Sequence, residues 1–166
     1  PSLLWAAERL NVLPTELLTQ TLTSANETAA IAAVTILGQR SALPESGAKR
    51  LRHQLAASAT PARVRRAIVQ TLARHPAAEN LPTLIVVAES LRSSPDRELE
   101  FAVRVALREH LRVPGGFAAL DQSAAPTSSG AATLAAFAPT LLADVAIAVP
   151  GEASADFVLS QLRRVG

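Results

Sequence analysis

Between Thr60 and Arg112 the same helical pattern is written twice. Val64, Ala67, Ile68, Thr71 and Leu72 stand at i, i+3, i+4, i+7 and i+8, which lines one face of a helix with small and apolar side chains. Thirty-five residues later Leu99, Ala102, Val103, Ala106 and Leu107 occupy the same places, and His75 recurs as His110. Between the copies, Leu81, Leu84, Ala88 and Leu91 mark a second helix, bounded by Pro76 and Pro95. One such pair cannot cover its own apolar faces. A recurring pair is therefore expected to stack on its neighbours, as in helical-repeat arrays.

Start signals set the units. Thr60 followed by Pro61, and Ser94 followed by Pro95, each read as an N-cap and first helical residue, with Asp96 adding an anion in the first turn. Asn26, Thr60, Ser94 and Gly130 are the candidate unit starts, spaced by 34, 34 and 36 residues. These boundaries predict one domain over 1–166, with an N-terminal pair at 1–24 and repeat units at 26–58, 60–93 and 94–120. A loop at 121–130 and C-terminal helices at 131–166 complete it. In the first pair Leu3, Leu4, Ala7 and Leu10 share a face beside Trp5, which is expected as a core or cap anchor. Pro14 and Thr15 restart a helix through Leu17, Leu18 and Leu22. Gly38 is placed to stop or bend the next helix, and Pro44 to Gly47 to form the turn before Ala48, Leu51 and Leu55. At the far end Phe157, Val158 and Leu162 are expected in the core, with Arg163 and Arg164 suiting the helix C-terminus.

Composition agrees with close helix packing. The 166 residues are 49% hydrophobic but only 3% aromatic, so Ala, Leu and Val carry the core. Strand signals are weak, Leu84 to Val87 being the clearest. With no Cys, thiolate metal sites, disulfides, haem attachment and cysteine nucleophiles are excluded from these residues. The chain begins at Pro1 and contains no Met, which reads as an excised or processed part of something longer. Residues 131–149 are apolar enough to suggest a membrane span, but Pro139 and Asp144 argue for a buried helix or helix pair broken near Pro139.

Net charge is only +2, yet it is unevenly placed. From Ser46 to Ala78 there are Lys49, Arg50, Arg52, Arg63, Arg65, Arg66 and Arg74 and no acid. Gathered on one surface, they would attract phosphate backbones or an acidic partner. As solvated helix faces, with Arg65 or Arg66 bridging to a neighbouring unit, they carry no function, and no aromatic residue interleaves them for base stacking. Glu100 with Arg104, and Glu109 with Arg112, read as surface pairs. Two equivalent histidines without a His-Glu-x-x-His motif do not make a zinc site. No nucleophile elbow, phosphate-binding loop or dinucleotide fingerprint is present. Of the acids Glu98, Glu100, Asp144 and Asp156, Asp144 stands out for its apolar surroundings. It is expected as a helix-end or turn carboxylate bonded to backbone amides near Pro150.

The run Pro61, Ala62, Arg63, Val64, Arg65, Arg66, Ala67 resembles the first helix of a HEAT repeat. Three segments, Leu3 to Asn11, Asp96 to Leu111 and Leu142 to Leu162, resemble in the same order the HEAT-repeat region of large planctomycete-type multidomain proteins. Those proteins join a membrane-bound-dehydrogenase-like propeller to a c-type haem domain. The resemblance implies the helical middle of an exported, periplasmic or secreted protein acting in redox or carbohydrate breakdown. The family's catalytic and haem residues have no counterparts in this chain, so none is carried over and no cofactor is expected. Two departures stand against it: a spacing of 34 to 36 where HEAT units usually run to about 40 or more, and no clear second helix after Gly115.

The fold expected is thus all-α, a right-handed α-solenoid of HEAT-like helical pairs. The function expected is a non-catalytic scaffold that holds neighbouring domains of the same chain or a protein partner. Nucleic-acid binding through the basic run 49–74 is the alternative, and hydrolysis by carboxylates near Asp144 a third.

Overall fold

The computed structural model describes residues 2–93, 95–122 and 139–165, and among them there are helices and turns but no strand. Leu84 to Val87, the strongest strand candidate, is helical. Contacts within the chain gather into two compact units, Pro1–His75 and Pro76–Gly166.

The first unit holds α1 (Ser2–Arg9), α2 (Thr15–Thr21), α3 (Glu27–Gln39), α4 (Glu45–Ala56) and α5 (Ala62–Arg74). Its centre is α3, where Ala30, Ala33, Val34, Ile36 and Leu37 are buried on nearly all sides. A helix apolar around most of its girth must be covered all round, and α3 packs against α1, α2 and, most extensively, α5. The predicted stripe on α5 is its buried face: Val64, Ala67, Ile68, Thr71 and Leu72 all lie in the core.

Gly38 lies where α3 meets α5, one residue before the helix ends at Gln39. A Cβ at this position would sit 2.6 Å from the Thr71 hydroxyl oxygen, so glycine is needed for close approach. The Thr71 Oγ1 donates to the Val34 carbonyl at 3.0 Å, tying the two helices where Gly38 lets them approach closely.

Several boundaries differ from those expected. Asn26 caps α3 as predicted, its side chain accepting from the Ala29 amide. Thr60 does not cap α5. Pro61 stands at the N-cap, while the buried Thr60 Oγ1 donates to the Gln54 carbonyl at 2.7 Å and accepts from the Gln54 side-chain amide. The oxygen that a cap would turn to the α5 amides thus accepts from the Gln54 side chain instead, while its proton serves a carbonyl at the end of α4. Likewise Pro44 is the N-cap of α4, so Glu45, Ser46 and Gly47 form its first turn. The first helix buries no residue fully: Leu4 and Ala7 are half-buried, whereas Leu3 and Leu10 are exposed. Trp5 is half-buried at the edge of a surface cleft with Ala6 and Arg9, outside the core.

The second unit holds a 3-10 turn (Ala78–Asn80), α6 (Leu81–Ser93), α7 (Arg97–Leu111), α8 (Gly116–Gln122), α9 (Pro139–Ile147) and α10 (Glu152–Val165). Leu81, Leu84, Ala88 and Leu91 on α6, and Leu99, Ala102, Val103, Ala106 and Leu107 on α7, are buried as predicted. Ser94 lies outside the described residues. Asp96 caps α7 itself, its Oδ1 accepting from the Glu98 and Leu99 amides at 3.1 and 3.0 Å. After α7 the chain turns through Gly115, at φ 82°, into the seven-residue α8. A Cβ on Gly116 would lie 2.5 Å from the His110 carbonyl oxygen, which no side chain tolerates.

Residues 123–130 of the expected loop, including Gly130, and 131–138 of the Ala-rich stretch lie outside the described residues. Asp121 and Gln122 end α8, and Pro139 begins α9. On α10 the buried positions are Ser154, Phe157 and Gln161, with Ser154 Oγ donating to the Ala146 carbonyl at 2.6 Å. Leu162, expected in the core, is exposed because the hydrogen bond from Ser154 and the Phe117–Phe157 ring contact rotate it outward.

Candidate interaction surface

The seven cations of the basic run all belong to the first unit, on α4 and α5. Helical geometry separates them. On α5, Arg63, Arg66, Gln70 and Arg74 follow one another at i, i+3, i+7 and i+11, forming a row along one flank of the buried stripe. Arg65 falls on the other flank of the helix. Arg63, Gln70 and Arg74 are exposed, whereas Arg65 and Arg66 are half-buried and each has a partner.

Acids from outside the run approach it in space. Arg52, on α4, is held by Glu45 at 2.5 Å, and Arg63 faces Glu27 of α3 at 3.8 Å. Arg50 lines a cleft with Glu16 of α2, Thr15 and Ser46. Lys49 and Arg74 are exposed and make no ion pair among the described residues. The fold thus brings Arg63, Arg66 and Arg74 into one row, and turns Arg50, Arg52 and Arg65 elsewhere. What remains for an acidic partner is narrower than seven cations, and exposed ion pairs of this kind contribute only about 0–1 kcal/mol each.

Asp144 is not a turn carboxylate. It lies within α9, its side chain 61% exposed, 3.7 Å from Arg104 of α7. Arg104 also meets Glu100 at 3.3 Å, so one guanidinium stands between two carboxylates in a shallow cleft of about 230 Å³. Leu91, Val103 and Thr140 are among the other residues that line it. The Glu100–Arg104 pair follows from i,i+4 spacing, but its third member comes from forty residues away and no local signal announces it. Glu109 meets Arg112 at 3.4 Å, as its spacing predicts, and Arg108 at 2.9 Å.

Two further polar centres serve the scaffold. Arg40, at the end of α3, grips Glu8 of α1 through both carboxylate oxygens, at 2.9 and 2.6 Å. The same guanidinium donates to Thr15 Oγ1 and to the Leu13 carbonyl. These hydrogen bonds hold the Glu8 carboxyl below its usual range. Sequence reading passed over both residues, since a bridge across 32 positions has no periodicity to betray it.

His110, in the second unit, is fully buried. Its Nδ1 donates to the Ala106 carbonyl at 2.7 Å, and its Nε2 accepts from the Asn80 side-chain amide at 3.0 Å. The ring is therefore a neutral strut between α7 and the 3-10 turn, and burial pushes its pKa down. His75 closes the end of α5 and is half-buried, so the repeated histidine has two different roles. Among the described residues no three His, Asp or Glu side chains are grouped to hold a metal ion. None of the described helices is long and apolar enough to cross a membrane.

Comparison with known protein families, with curated proteins and with solved structures finds no match for this chain.

Proposed function

We propose that this chain is a non-catalytic helical-repeat scaffold, an α-solenoid of HEAT-like pairs whose surface holds neighbouring domains or a protein partner. One observation carries the reading: within each unit, alternate helices pack on one another. In Pro1–His75, α1 packs on α3 and α3 on α5, while α2 packs on α4. In Pro76–Gly166, α7 packs on α9, and α6 and α10 both pack on α8. First helices thus meet first helices and second helices meet second helices, as stacking of like pairs requires. The close Gly38–Thr71 contact between α3 and α5 joins the unit predicted at 26–58 to the one at 60–93.

The site chemistry supports the same reading. Glu100 and Asp144 are held against a shared guanidinium, an arrangement suited to tying α7 to α9. Placement within a larger exported redox or carbohydrate-processing protein rests on the resemblance of the segments on α1, α7 and α9–α10.

The row Arg63, Arg66 and Arg74 favours one alternative, a nucleic-acid backbone. Binding of the chain to short duplex and single-stranded DNA, titrated with salt, separates the two. The scaffold reading expects no saturable binding at low salt. Binding that falls steeply with salt, and is lost when Arg63, Arg66 and Arg74 are changed to Ala, would replace it with a nucleic-acid interface.

A further inference from the structure

We propose that α1 is a strap held shut by Arg40, and that it opens on its own, baring the side of α3 it covers while α3 and α5 stay folded. Apolar contact holds it only slightly. Leu4, Ala7 and Glu8 share one side of α1 and are half-buried, no residue of the helix is fully buried, and Leu3 and Leu10 lie at 86% and 73% exposure. Every other helix of this unit puts large aliphatic side chains in the core: Leu18 on α2, Ile36 and Leu37 on α3, Leu51 on α4 and Ile68 on α5. Burial of apolar area is what ordinarily docks a helix, so α1 relies on something else.

The other force converges on one side chain. From the end of α3, Arg40 Nε and Nη2 donate to the two carboxylate oxygens of Glu8, Nη2 donates also to the Leu13 carbonyl at 2.7 Å, and Nη1 donates to Thr15 Oγ1 at 2.7 Å. Glu8 belongs to the strap, Leu13 to the link that follows it, and Thr15 to the start of α2. One guanidinium therefore holds the moving helix, its hinge and the fixed helix beyond. Glu8 and Arg40 keep only 25% and 21% of their side-chain surface, which shields this two-pronged pair from water and salt. The link itself is lightly held: Asn11 takes the left-handed φ of 55°, Val12 is exposed, and the Val12 amide bonds back to Ala7, within the strap.

Opening also unwinds the strap. The eight residues of α1 are too few to stay helical in water once undocked, so the helix and its contact with α3 are lost together. The rest of the unit does not depend on it: α3 keeps α2 and α5 against its other sides, and α2 and α5 keep α4. A segment with few buried apolar contacts belongs to the least stable part of a fold and opens far below global unfolding. What is wetted is the part of α3 that faces α1, on a helix apolar around most of its girth.

The strap carries its own reporter. Trp5 is the only Trp in a chain without Tyr, and it is half-buried in a cleft formed with Ser2, Ala6, Arg9 and Leu10, so its emission reads α1 alone. The experiment follows Trp5 emission through a urea titration of the 166-residue chain, with hydrogen exchange of the α3 and α5 amides measured at the same urea concentrations. Emission is expected to shift to the red while those amides are still protected. Glu8→Gln keeps the shape of the side chain and removes its charge. It should lower the closed-to-open ratio about tenfold, moving the emission change to lower urea and leaving α3 and α5 protection where it was. Arg40→Lys keeps the charge but loses the fork, and should move the emission change in the same direction. Emission and α3 protection lost over one urea range in the wild-type chain would overturn the proposal, because α1 would then be an integral part of the unit. So would a Glu8→Gln chain whose emission change stays in place, which would mean that Leu4 and Ala7 hold the helix without the latch.

Discussion

At Gly38 a single methyl group decides how closely α3 and α5 can approach. Replacing a helical glycine by alanine ordinarily stabilises by about 1 kcal/mol. Here the new Cβ would meet Thr71 Oγ1 at 2.6 Å and its Cβ and Cγ2 at 3.2 Å, and that hydroxyl is committed to the Val34 carbonyl. Overpacking should win. Gly38→Ala is expected to destabilise by about 1–3 kcal/mol in denaturant unfolding. Thr71→Ala removes the obstructing atoms, so the double variant should lose less than the two single changes summed; strict additivity would show that the contact is not limiting. His110 makes a second residue-scale prediction, in pH. Burial holds its pKa in the folded chain below the ordinary imidazole value of about 6.5, so the unfolded chain binds the proton first. The stability that neutral His110 provides is complete above about pH 6.5 and is lost as pH falls toward the folded-state pKa, by up to about 1.4 kcal/mol per pH unit. Thermal midpoints measured from pH 7.5 to 5 should fall accordingly. His110→Gln should flatten that part of the curve, and an unchanged slope would assign the effect to other groups.

At the scale of the helix, the apolar stripes were legible and the ends were not. Val64 to Leu72 and Leu99 to Leu107 could be read because 3.6-residue periodicity is written into consecutive side chains. Caps depend on which of several small polar residues finds a partner, and that is settled by the neighbouring helix. Thr60 has the right chemistry for a cap but bonds to Gln54, whereas Asp96 wins at α7 because it reaches two amides from the N-cap position. Asp96→Ala should therefore cost about 1 kcal/mol, seen as a lower denaturant midpoint with unchanged slope, and Asp96→Asn much less. Equal losses for the two would mean that the carboxylate's charge matters more than its geometry. The cations of the basic run carry the same lesson. Their absence of neighbouring acids in sequence was real, but Glu27 and Glu45 return beside Arg63 and Arg52 once the helices pack. Arg40 with Glu8, and Arg104 with Asp144, were invisible for the converse reason, since each joins elements far apart in the chain.

Across the whole molecule, burial is organised within Pro1–His75 and within Pro76–Gly166. Each set has its own fully buried centre, Ile36, Leu37 and Ile68 in one and Leu84, Leu99 and Leu107 in the other. When stability is a sum of neighbour contacts, a defect is felt most by the elements that share it. Leu37 packs at the heart of the first set, and truncating it to alanine is expected to cost about 2–5 kcal/mol. Hydrogen exchange under mildly denaturing conditions reads where that loss falls. In Leu37→Ala the amides of α3 and α5 should open at markedly lower denaturant than in the parent chain, while those of α6 and α7 keep most of their protection. The reciprocal change, Leu107→Ala, should reverse the pattern. An equal loss of protection on both sides of His75 in either variant would mean that the chain opens as one cooperative body, with its repeats too tightly coupled for neighbour sums to describe it.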